Sequence, residues 1–176
     1  MRLCLSCRAT FEGSDWRCPR CGTEPTRIGG FPAFAPNLAR GAAGYDPAHF
    51  AELARLEADN FWFRARNRLI VWALERFFPG ARNMLEVGCG TGFVLAGIAQ
   101  TRPRLRLTGS EAATEGLEFT AARVPSAALI QMDALSIPFR EEFDVVAACD
   151  VIEHIEDDRA VLAELAAALT PGGGLL

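Results

Sequence analysis

From Asn83 onward the sequence alternates short apolar runs with helix-length amphipathic ones, and this alternation restricts the fold more than any other feature of the chain. Met84-Leu85-Glu86-Val87, Leu105 to Ser110, Ala128 to Met132 and Phe143 to Cys149 read as four strands. Phe93 to Gln100, Glu115 to Arg123 and Asp157 to Leu169 read as helices, and Pro171-Gly172-Gly173-Gly174 turns the last of them toward a fifth strand beginning at Leu175. Phe143 to Cys149 is almost wholly apolar, as a strand covered on both faces must be. The pattern specifies an α/β fold with a doubly wound parallel sheet.

Ligands of such a sheet collect just beyond the carboxyl ends of its strands. In this chain those positions carry glycine or acid. The first strand runs into Gly88-Cys89-Gly90-Thr91-Gly92-Phe93, where three glycines let backbone approach a ligand closely and deliver it to a helix N-terminus. The spacing G-x-G-x-G places Phe93 where a dinucleotide fingerprint needs a small residue, which disfavours NAD. Glu111, 23 residues beyond Gly88, closes the second strand, where a carboxylate accepts both hydroxyls of a ribose. Asp133 closes the third, where a carboxylate accepts the exocyclic amine of adenine while a neighbouring backbone N–H donates to the ring. Asp150 follows the fourth, in Cys149-Asp150-Val151-Ile152-Glu153-His154. Glu86, Glu111, Asp133 and Asp150 share their turns with no Lys or Arg, which suits a cationic ligand such as a sulfonium nucleoside better than a phosphate-rich one.

All 18 basic residues of the 176 are Arg, so Schiff-base, lysine-base and P-loop chemistry are excluded. The net charge of −4 gives no general polyanion-binding surface. No apolar run approaches the ~20 residues of a membrane span, and the opening is not of secretory type, so the expectation is a cytoplasmic protein without a membrane partner.

Four of the six cysteines fall in two C-x-x-C knuckles, Cys4-Leu-Ser-Cys7 and Cys18-Pro-Arg-Cys21. Two knuckles at this spacing close a tetrahedron around Zn²⁺, with redox dithiols or disulfides as the competing uses. Four protein ligands leave no open position, so the zinc is structural, and it supplies the folding energy that a segment of about 24 residues lacks. Trp16 and Phe11 are expected to pack over the knuckles. Residues 1–40 hold six Arg against three acids, and a zinc-tetrathiolate reduces that excess to about +1, too little to favour a phosphate-tracking surface. Cys89 and Cys149 read as small apolar fillers.

Three expected units follow: a ribbon over 1–24, an extended Pro- and Gly-rich connector over 25–45, and a partial α/β domain over 46–176 with its core from 83. Asp46-Pro47 reads as the start of a helix reaching about Asp59, with Phe50, Leu53, Ala54 and Leu56 inward. A second helix, Phe61 to Phe78, carries Leu69, Ile70, Trp72, Ala73, Phe77 and Phe78 at core spacings. The cluster Phe61-Trp62-Phe63 beside Arg64 and Arg66 reads as core, or else as the wall of a ligand pocket.

From LEVGCGTGF, GSEA, QMDA, FDVVAACDVIEHIEDD and LTPGGG, in that order, residues 46–176 resemble the class I S-adenosylmethionine-dependent methyltransferases. The Asp-Val-Ile-Glu-His run resembles their small-molecule branch, including the ubiquinone-biosynthesis O-methyltransferases, and the Asn/Asp-Pro-Pro-Tyr/Phe signature of amino-methylating enzymes is lacking. The resemblance implies a Rossmann-like sheet and S-adenosylmethionine as cofactor. It implies that Glu86, Val87 and the loop of Gly88, Cys89, Gly90 and Gly92 hold the methionine portion and that Glu111 with Ala112 holds the ribose. It further implies that Asp133 with Ala134 binds adenine and that Asp150 with Val151 borders the sulfonium. The family sheet has seven strands, so the chain is expected to be truncated at its C-terminus by about 50 or more residues.

A sulfonium methyl is already electrophilic, so alignment and exclusion of water supply most of the catalysis. For a hydroxyl acceptor His154 is the candidate base, as the one histidine near the end of the fourth strand. His49 is expected to be exposed and inert, and Glu156-Asp157-Asp158 to support a helix N-terminus. The expected partner is a small-molecule methyl acceptor. The alternatives are methylation of ribosomal RNA docked by the ribbon, as the layout of zinc-bearing ribosomal-RNA guanine methyltransferases suggests, and a non-catalytic zinc-ribbon interaction module.

Overall fold

A computed structural model of the protein describes residues 1–40 and 48–176, so the helix start expected at Asp46-Pro47 lies outside the described residues. Strands β1 (Arg2–Leu3) and β2 (Thr10–Phe11) form a small antiparallel pair. β3 (Thr26–Ile28), β4 (Phe31–Ala33), β5 (Asn83–Val87), β6 (Arg106–Glu111), β7 (Ala128–Gln131), β8 (Phe143–Ala147) and β9 (Leu169–Leu175) form one sheet in the order β3-β4-β7-β6-β5-β8-β9. Every neighbouring pair is parallel except β3 with β4.

Strand alternation divides the core into two layers. Met84, Val145 and Ala147 face α2 (Phe61–Phe77), α3 (Phe93–Thr101) and α4 (Thr114–Arg123), together with Leu74, Leu95, Ile98 and Leu117. Leu85, Val87 and Val146 face α5 (Asp158–Ala168), meeting Val161, Leu165 and Ala168. The β7-to-β8 crossover, residues 132–142, contains no helix. Trp16 and Phe34 cover that stretch instead, with ring centroids 4.7 Å apart and Trp16 5.5 Å from Phe139.

Several expectations are corrected. Within the expected connector, residues 26–33 are part of the sheet: an extended segment beside an unpaired sheet edge gains ladder hydrogen bonds, and β4 joins β7 at Ala33↔Gln131. Trp16 is not confined to the knuckles: it packs edge-on against Phe34 and Phe139 while lining, with Phe11 and Cys4, a pocket beside the first of them. α1 (Ala48–Leu56) ends at Leu56, which is exposed rather than inward, while Phe50 is buried. In α2 the buried stripe is Ile70 and Leu74, leaving Leu69, Trp72 and Phe77 more than half exposed, and Phe61 and Trp62 are 81% and 60% exposed. The helical period was correct there, but its phase is set by the contact with α3. Finally β9 starts at Leu169: its register slips between Phe143 and Val145, so Thr170 to Gly173 bulge before pairing resumes at Gly174.

Among the described residues no helix is long and apolar enough to cross a membrane.

Candidate functional site

The turn after β5 takes a left-handed backbone at Gly88, Gly90 and Gly92, with φ of 69°, 54° and 76°. Two of these glycines do opposite jobs. A Cβ on Gly88 would lie 2.3 Å from Val151 Cγ2, so the residue after Asp150 rests directly on the turn. A Cβ on Gly90 would meet nothing within 4 Å, so its backbone faces open space. The Gly90 N–H donates to Glu111 Oε2 at 3.0 Å, and Cys89 N–H donates to Ser110 O at 2.9 Å, tying the first and second strand ends together.

The turn is clamped from behind. Thr91 Oγ donates to the buried Glu57 carboxylate at 2.7 Å, and Arg123 Nη1 reaches Glu57 Oε2 at 2.8 Å and Thr91 O at 3.1 Å. The turn that ends α1, helix α4 and the glycine turn therefore share one ion pair. It was missed in the sequence because Glu57 and Arg123 lie 66 residues apart.

The four strand-end carboxylates stand on one rim, at the carboxyl ends of the adjacent strands β7, β6, β5 and β8. Their states differ. Burial pushes Glu86 up to about 8; Arg66 partly opposes the shift and Glu111 adds to it, and Glu86 Oε2 has no hydrogen-bond partner. At neutral pH Glu86 thus holds a proton, so the row is less negative than the sequence implied. Burial also raises Glu111, opposed by the backbone N–H groups of Gly90, Ala112 and Ala113. Each Glu111 oxygen takes one short bond, from Gly90 at 3.0 Å and Ala112 at 2.8 Å. Asp133 is half-buried with Oδ1 accepting Leu135 N–H at 2.9 Å, and Ala134 is buried beside it.

Asp150 is exposed, in the left-handed region at φ 56°, and pairs with Arg66 at 2.5 Å. Arg66 supplies the cation that those turns lack. Its signal in the sequence was the stripe Arg66, Ile70, Leu74, which puts an Arg on the inward face of α2. His154 ends a short 3-10 turn, Ile152–His154, four residues after Asp150, and is exposed. His49 is exposed, and Asp157 caps α5 through Ala160 N–H at 3.0 Å. Burial pushes the Cys149 thiol up to about 12 and raises the Cys89 thiol well above its ordinary value, so neither is a nucleophile near neutral pH.

The ribbon cysteines form a second cluster. All four sulfurs lie within 4.8 Å of one another, with Cys4–Cys21 at 3.6 Å and Cys7–Cys18 at 3.7 Å. A tetrahedral tetrathiolate with Zn–S near 2.3 Å needs sulfurs about 3.8 Å apart, so the cluster fits the ion. The two knuckles repeat one geometry: Arg8 (φ 59°) and Gly22 (φ 75°) follow the second cysteine of each, and both donate N–H to the carbonyl of the first at 2.9 Å.

Residues 85–176, just over half of the chain, match the family described as methyltransferase domain. The chain belongs to this family. Among curated methyltransferases it is 32% identical over 139 residues to an O-methyltransferase of Pyrenophora dematioidea, covering 74% of this chain and 48% of that protein. It is 26% identical over 140 residues to a ubiquinone biosynthesis O-methyltransferase of Stutzerimonas stutzeri, covering 70% and 60%. The chain spans about half the length of the curated relatives it matches. Among solved methyltransferases, an S-adenosylmethionine-bound amino pentose enzyme of Micromonospora echinaspora superposes with TM-score 0.60 at 25% identity, over 77% of this chain and 57% of that one. The Rossmann-like α/β class is thereby established.

Proposed function

We propose that this methyltransferase-family protein moves a methyl group from S-adenosylmethionine to a small or medium-sized acceptor. The observation that carries the reading is Glu86: a wholly buried carboxyl with an unpartnered oxygen, next to a glycine turn whose Gly90 backbone faces open space. A desolvated acid of this kind awaits a cation, and the ammonium of the methionine portion is one. Arg66 is the cation on the same rim for that portion's carboxylate. Each Glu111 oxygen retains a lone pair for one ribose hydroxyl, and Asp133 with Ala134 takes the adenine edge. Val151, seated on Gly88, and Asp150 border the sulfonium.

When bound, the cofactor supplies a methyl group electrophilic enough to need no activation by the protein. The chain orients it and excludes water. For a hydroxyl acceptor, His154 takes the proton from the acceptor oxygen. The ribbon holds one structural Zn²⁺ through Cys4, Cys7, Cys18 and Cys21.

A small acceptor is favoured over RNA by where the ribbon sits. β1 lies along residues 138–140, and a cleft of about 550 Å³ separates the ribbon from Thr108, Ala128 and Phe143 at the amino ends of the strands, away from the cofactor rim. The test is methyl transfer by the zinc-loaded protein from labelled cofactor to a small-metabolite fraction and, separately, to ribosomal RNA. Label is expected in the metabolite fraction; label confined to RNA overturns the choice.

A further inference from the structure

Residues 1–40 run as one strap from the amino end of the sheet to its cofactor rim. At the lower end β1 pairs with the crossover that follows Asp133: Leu3 N–H donates to Pro138 O at 2.9 Å, Arg140 N–H donates to Met1 O at 2.9 Å, and Arg2 bridges Phe139. Trp16 packs edge-on against Phe139 and Phe34. At the upper end Gln131, wholly buried, donates from Nε2 to Ala35 O and to Ala112 O, both at 2.8 Å, and accepts from Ala35 N–H at 3.1 Å. Ala39 O then accepts from Thr114 N–H at 3.1 Å and Thr114 Oγ at 3.0 Å, at the start of α4.

The strap therefore touches both adenosine loops. One is the crossover after Asp133, which has no helix of its own and turns on Ser136 N–H to Asp133 O at 3.0 Å. The other is the Glu111–Ala112 loop, which Gln131 holds by the Ala112 carbonyl. We infer that the ribbon is a positioning element for the adenosine end of the cofactor site, so that metal at the four cysteines sets cofactor affinity. This rests on the reading of Asp133 and Glu111 as adenosine contacts. The metal acts from a distance: it fixes the knuckles, the knuckles fix β1 and Trp16, and these fix residues 132–140. Gln131 is a positioning residue, since it reaches the site only through Ala112.

The full chain is titrated with S-adenosylhomocysteine by calorimetry in three states: zinc-loaded, stripped with a chelator, and stripped then reloaded. Amide hydrogen exchange is followed in each. The stripped protein is expected to lose protection at residues 132–140 while β5 and β6 stay protected, to bind about 10-fold more weakly, and to recover on reloading. Equal affinity and equal protection with and without zinc overturn the inference. Should stripping unfold the whole chain, Trp16→Ala decides, because all four thiols remain: it is expected to bind one zinc and to lose affinity several-fold, and unchanged affinity overturns the strap. If the zinc-loaded protein does not bind S-adenosylhomocysteine at all, the site reading fails instead, while zinc-dependent protection at 132–140 still reports on the strap by itself.

Discussion

Glu86 and Glu111 end neighbouring strands, yet burial and hydrogen bonding give them different states. Between the ordinary carboxyl pKa near 4.5 and the raised value near 8, native Glu86 binds a proton that the unfolded chain has released. Stability therefore falls as pH rises through that window, by at most roughly 1.4 kcal/mol per pH unit. A thermal melt series from pH 5 to 8 is expected to show a declining Tm for the native protein and a flatter profile for Glu86→Gln. The same linkage makes affinity for the homocysteine form of the cofactor rise with pH up to about 8, because Glu86 must shed its proton to meet an ammonium. At Glu111 the loss is one of contacts: Glu111→Ala removes two backbone bonds and two sites for ribose hydroxyls, and calorimetry is expected to read affinity at least ~10-fold weaker. Unchanged affinity would put the ribose elsewhere.

Among the elements, the lead-in helices are joined to the glycine turn by charge as well as by packing. Glu57, one residue beyond α1, is buried, while Arg123 on α4 is about a quarter exposed and also lies 5.4 Å over the Phe93 ring. Removing one partner of a fully buried pair costs about 3–5 kcal/mol, and the partial exposure of Arg123 brings the expectation for Glu57→Ala to roughly 2–3 kcal/mol. A denaturant midpoint shift worth under about 0.5 kcal/mol would show the pair to be incidental. Strand β8 was legible in the sequence because a two-sided strand must be largely apolar, and β5 to β7 were legible from their alternation with helix-length runs. The phase of α2 was not: Trp62, Leu69 and Trp72 share a helical stripe as well as Ile70 and Leu74 do, and only the position of α3 selects between them.

On the scale of the whole molecule, the ribbon and the hairpin of β3 and β4 complete a layer that the β7-to-β8 crossover leaves open. Deleting residues 1–24 would remove Trp16 from Phe34 and Phe139 and uncover the apolar surface around Ile130 and Phe143. The shortened protein is expected to bind a hydrophobic dye and to aggregate; a monodisperse, dye-negative product would make the ribbon a separable appendage. The alternation of strand and helix, the glycine turn, the acids at the strand ends and the paired knuckles were all written in the sequence, because each depends on residue type and short spacing. Tertiary structure alone decided that burial raises the Glu86 carboxyl to about 8, that Arg66 reaches Asp150, that Glu57 meets Arg123 and that residues 26–33 extend the sheet. Desolvation, ion pairing and edge pairing are properties of what lies nearby in space, and those neighbours are brought together only by the folded chain.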